Sequence, residues 1–111
     1  MNSKIFRQGD VLLTLVAALP KNVTDVTPSD RIVLAYGEVT GHAHAVADPI
    51  TRERPNGKAR FWDAGAERYL QVLKHTTLRH EEHAPLDLAP GFYKIGHQRE
   101  YSAEEIRRVA D

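Results

Sequence analysis

Two close pairs of histidines carry the chemical interest of this chain. His42 and His44 alternate in GEVTGHAHAV, and His80 and His83 stand three apart in RHEEHAPL. Imidazole both ligates transition metals and exchanges protons near neutral pH. On a strand, alternate side chains share a face, so His42 and His44 point the same way, with Cα atoms roughly 6–7 Å apart. From that separation two rings can bend toward one ion at bond lengths of about 2.0–2.1 Å. Gly41, just ahead of them, permits a bulge or a close backbone approach. His80 and His83 meet only if HEEH turns, because an i,i+3 pair faces one way on a helical turn and not on a strand. Pro85 makes a break in the strand there reasonable.

The same parity extends the constellation. Across 70–80 the even positions Leu70, Val72, Leu78 and His80 form the more apolar face, which turns His80 inward. In 92–101, Tyr93, Ile95, His97 and Tyr101 share a face, which makes His97 a reserve ligand. His42, His44, His80 and His83 are therefore the expected metal ligands. His75 stands alone and is read as an ordinary hydrogen-bonded histidine; Trp62 is read as core packing.

The chain contains no cysteine. Any metal must therefore be held by nitrogen and oxygen donors, which suits zinc, iron, manganese or nickel. A closed set of four ligands would be structural. An open set of three would leave a place for a water that zinc acidifies toward pH 7. Glu82 is then the preferred acid–base group, with Glu81 and Glu38 as alternatives, and the reaction is metal-assisted hydrolysis or oxidation. A second class needs no metal: histidine pairs acting as general base and acid on RNA. Arg79, Lys74 or Arg99 would steady phosphates, and Phe61, Trp62, Tyr69, Phe92, Tyr93 and Tyr101 would stack bases. A third class is a non-catalytic binding or assembly module.

These residues need a scaffold, and the pattern is that of strands. DVLLTLVAAL (10–19) and RIVLAYG (31–37) are apolar runs rich in branched residues, followed by the histidine strand near 42–47. The stretch 20–30, with prolines near both ends, reads as a loop. Asn56-Gly57 is the best two-residue hairpin signal. Further strands are expected at ARFWDA, ERYLQVLKH, TTLRHEE and FYKIGHQREY, with a turn at LAPG; ERYLQVLKH also fits a helical period. The last segment, SAEEIRRVAD, has Ser102 and Glu105 in capping-box spacing and apolar residues at helical intervals, so a short helix is expected over 102–110. The fold class is thus mainly β: a small single-domain barrel or sandwich over about 4–101, spanning 1–111 with its C-terminal α-helix.

The 111 residues, 41% hydrophobic and 27% charged, suffice for one self-supporting core. Fifteen basic side chains balance fifteen acidic ones, so no net field draws the chain to nucleic acid or anionic lipid. The basic residues between Arg52 and Arg79, Arg68 among them, read as solvated surface. No signal-peptide core is visible, and the nine-residue run VLLTLVAAL is too short to span a membrane, so a cytoplasmic location is the expectation. The partner is a small-molecule substrate or RNA, and a homo-oligomer is compatible with the sequence.

Two resemblances bear on this reading. His42 and His44, the Pro90-Gly91 turn and His97 resemble the metal-binding pattern of cupin β barrels. The match departs where a glutamate is expected after the histidine pair, since Ala47, Asp48 and Pro49 stand there. RQGDVLL, GEVTGHAH, HEEHAPL and QREY together resemble a family of small bacterial and phage proteins whose function is not assigned, so this second likeness implies no activity.

Overall fold

The computed structural model describes residues 4–37 and 39–97. Their ten strands are β1 (Ile5–Gln8), β2 (Val11–Val16), β3 (Thr24–Asp25), β4 (Ile32–Tyr36), β5 (Ala43–Val46), β6 (Ala59–Asp63), β7 (Arg68–Val72), β8 (Thr76–Arg79), β9 (Leu86–Leu88) and β10 (Gly91–His97). They form two antiparallel sheets, one of six strands in the order β1-β2-β10-β7-β6-β3 and one of four in the order β4-β5-β8-β9. Among the described residues there is no helix. The expected helix over 102–110, with Ser102 and Glu105, lies outside the described residues, as do Glu38, Arg99 and Tyr101.

The expectation of mainly β structure holds, but the barrel does not close. β1 and β3 remain edges of the first sheet, and β4 and β9 edges of the second. Buried side chains of both sheets make one apolar cluster. Val11, Leu13, Phe61, Leu70, Val72, Tyr93 and Ile95 come from the six-stranded sheet, and Ile32, Leu34, Val46, Leu78 and Leu88 from the four-stranded one. Each fully buried aliphatic side chain contributes about 1.5–3 kcal/mol of transfer free energy. Strand alternation explains the choice of residues: β2 buries Val11 and Leu13, and β10 buries Tyr93 and Ile95 on the same face, in the register Ile95↔Leu13 and Tyr93↔Leu15.

Several local readings need correction. ERYLQVLKH and TTLRHEE give β7 and β8 as separate strands, but the single parity drawn across 70–80 breaks: they belong to different sheets, separated by an exposed turn that holds His75. Leu70, Val72 and Leu78 are nonetheless all buried, since both sheets face the same core. Asn56-Gly57 does not form a two-residue hairpin. The Gly57 N–H donates to Arg54 carbonyl at 3.1 Å, so Pro55 and Asn56 are the central residues of the turn. The expected loop 20–30 contains the short β3. Trp62 faces away from the inter-sheet core and donates from Nε1 to Gln71 Oε1 at 2.9 Å across the β6–β7 pair.

Two irregularities shape the end of the molecule where the histidines gather. Gly9 follows β1 with a φ of +55°, at the first position of the two-residue link to β2, where glycine is favoured. In β4 the register against β5 shifts between Val33 and Ala35, so Leu34 is an extra residue and Ala35 comes opposite His44.

Candidate functional site

His44 lies in β5, a strand buried on both faces. The small Ala43 and Ala45 occupy one face and His44 and Val46 the other, so the polar ring is carried inward by a strand that has little choice of orientation. His44 is 4% exposed, and its neighbour Gln8, the last residue of β1, is 3% exposed. Gln8 Nε2 donates to the carbonyls of Leu78 at 2.8 Å and Ala84 at 3.0 Å. Flipping that amide would set its oxygen against two carbonyl oxygens, so Gln8 Oε1 must face His44, whose Nδ1 lies 2.8 Å away. An oxygen can only accept there. His44 Nδ1 therefore carries the proton, and Nε2 keeps its lone pair. Desolvation by burial, reinforced by neighbouring His80 and His83, pushes the His44 pKa down to about 4 against a pull in the other direction from Asp10. The ring is neutral at pH 7.

HEEH does turn. Residues 81–83 form a bend after β8, and this brings both ends of the motif to the same place. Ring centroids of His44 and His80 are 4.3 Å apart, those of His80 and His83 4.6 Å, those of His42 and His80 5.7 Å and those of His44 and His83 5.8 Å. His80 is the hub, in contact with the other three rings. Its Nδ1 accepts the backbone N–H of Glu82 at 3.0 Å, a local bond that fixes the ring relative to the bend. Glu81 ties the same bend to the histidine strand: its Oε1 accepts the Ala43 N–H at 2.9 Å, and this bond is the main reason its carboxyl is held below the usual range.

His42 precedes β5 and is half-buried. Its Nδ1 is inaccessible to solvent and makes no hydrogen bond, with Glu82 Oε2 at 3.4 Å as the nearest acid. A buried ring nitrogen without a partner costs free energy unless something else satisfies it. Donor atoms of His42, His80 and Glu81 all fall within 4.8 Å of one another, the group among the described residues that meets that span. Glu81 thus shares that span with two of the rings, a placement that sequence alone did not suggest for it.

The four rings line an open cavity of about 900 Å³ together with Glu82, Asp10, Gly9, Gly37 and His97. The apolar wall is β4, from Val33 to Tyr36, with Val39 beyond it, and Arg68 enters from β7. Gly9 leaves room for His83: a Cβ built there would sit 2.6 Å from His83 Nε2. His75 takes no part. Of the cations expected to steady phosphates, Lys74 lies in the exposed β7–β8 turn, and Arg79 lines a second groove with Arg31, Ala43, His80 and Glu81. Phe61 and Tyr93 are buried in the core.

Among the described residues, no helix is long and apolar enough to cross a membrane. No curated protein and no solved structure matches the chain. Nothing in these comparisons points to the cupins, in keeping with sheets that do not close. A family model described as Domain of unknown function, DUF8820, matches residues 7–98. With most of its length matched, including His42, His44, His80, His83 and His97, the chain belongs to that family.

Proposed function

We propose that this protein binds a divalent transition metal ion through its clustered imidazoles and uses it in hydrolysis or oxidation of a small molecule. His80 and His42 are the shared ligands, His80 once its Nδ1 gives up the Glu82 N–H, and His44 and His83 supply further nitrogens from the adjoining rings. The Glu81 carboxylate is within reach of the first two. The observation that carries this reading is the Gln8–His44 lock. A neutral ring held by a buried acceptor, with its other nitrogen free, is the usual outer support of a metal-ligating histidine. The orphaned His42 Nδ1 agrees with it. The cavity favours an open site over a purely structural one, because about 900 Å³ is far more than an ion and its ligands need.

A bound ion would supply Lewis acidity and lower the pKa of a water on it. Glu82, exposed at the cavity wall and beside His42, would take that proton; Glu81, engaged with the Ala43 N–H, is less free to do so.

The direct test is elemental analysis of untagged protein after exposure to one equivalent of zinc, manganese, nickel or iron(II) and removal of excess. One ion per chain is expected. The His42→Ala/His80→Ala double variant, shown folded by its amide spectrum, should retain less than a tenth of it. Wild-type protein that leaves the column without metal in every case would overturn the reading.

A further inference from the structure

The cavity holds a cation that the imidazole chemistry does not use. Arg68 opens β7, where it pairs with Ile95 of β10, and Ile95 pairs in turn with Leu13 of β2. Leu13 and Ile95 are buried in the inter-sheet core. Arg68 therefore sits on the inward face of the six-stranded sheet, at its end, where its exposed side chain borders the open histidine cavity. His97 is two residues beyond Ile95 on the same face, roughly 6–7 Å along the strand. No carboxylate of the described residues pairs with Arg68. Nearby Glu67 is taken by Lys94 at 2.8 Å, and Asp63 accepts the Gly65 N–H at 2.7 Å. The acids that share the cavity act at its imidazole end: Glu82 lies beside His42, and Asp10 acts on His44.

We infer that Arg68 anchors the oxyanion group of an organic substrate in this cavity. The inference rests on the metal-site reading for the reaction but not for the binding. A planar guanidinium without a partner presents two parallel N–H donors, which match a carboxylate or a phosphate. The rest of the wall is apolar: Val33, Leu34 and Ala35, with Tyr36 and Val39 exposed at the rim. An anionic head on Arg68 and an apolar or aromatic body along β4 would place the intervening bond before the histidines. The substrate class is thus an amphiphilic carboxylate or phosphate ester small enough for the cavity.

Phenylphosphonate and benzoate separate the two oxyanions, and benzamide serves as the neutral control. Each is titrated into metal-free and zinc-loaded protein, with shifts in the amide and arginine Nε–H spectra as the readout. Wild type should bind at least one anion more tightly than benzamide in both forms. Arg68→Gln should weaken that binding by about 10- to 100-fold, as expected for loss of a charge-assisted pair. Arg68→Lys should fall between them, and zinc stoichiometry should stay unchanged in both variants. Benzamide binding as well as the anions, absence of binding by either anion, or an Arg68→Gln protein with undiminished affinity would overturn the inference. Failure to take up zinc would count against the metal reading alone, since the metal-free titration still decides the role of Arg68.

Discussion

Gln8 and His44 form one unit. The amide N–H groups are committed to the Leu78 and Ala84 carbonyls, so its oxygen accepts the His44 Nδ1–H. Replacing Gln8 with Leu strands two carbonyls and a ring N–H. The expected cost is about 1–3 kcal/mol in urea unfolding, from buried polar groups left unsatisfied. Metal affinity should fall by about 10- to 100-fold, as for loss of an outer support. Unchanged affinity in a folded Gln8→Leu protein would show that the lock serves packing only. The same ring predicts a pH effect in the metal-free protein. Its folded pKa is near 4 and its ordinary value 6.5, so between those values the unfolded chain binds the extra proton. Stability should therefore rise with pH through that window and be complete above it. His44→Gln should give a shallower rise in the urea midpoint; an identical slope would contradict the assignment. None of this was legible in the sequence. Gln8 acts on a partner 36 positions away, and no local pattern encodes such a contact.

At the level of elements, strand pattern recovered β2, β4, β5, β6, β7, β8 and β10: β2, β4, β6 and β10 bury alternate residues, and β5 adjoins a distinctive pair. β1, β3 and β9 escaped notice: two to four residues are too few to establish a period, and pairing with distant strands defines them. The 80–83 bend was the conditional part of the reading. A continuing strand would have turned His83 away; the bend, tied back through Glu81 to Ala43, turns it in. Gly9 makes the complementary allowance from β1. Gly9→Ala would hold a side chain at positive φ, costing about 1–2 kcal/mol, and its Cβ would displace His83. The expected result is a folded protein with lower metal affinity and altered His83 ring resonances. Retention of both the affinity and the His83 signals would show that His83 is not held where the glycine leaves room for it.

On the scale of the whole molecule, two open sheets share one apolar core and leave their imidazoles together at one end of it. Sequence pattern indicated that β structure would form and which faces would be buried. It could not decide between a closed barrel and two sheets with free edges, since closure depends on which distant strands pair. That architecture gathers imidazoles from β5 and its approach and from the β8–β9 bend, so an ion bound as proposed would join segments far apart in sequence and should raise the unfolding temperature with metal concentration. The central claim is that imidazoles, and not adventitious surface groups, surround the ion. X-ray absorption at the zinc edge of protein carrying one equivalent tests it most directly. The account predicts nitrogen or oxygen scatterers at about 2.0–2.1 Å with the outer-shell pattern of at least two imidazole rings, diminished in His42→Ala/His44→Ala protein. A shell of water and carboxylate oxygens without imidazole scattering would contradict it.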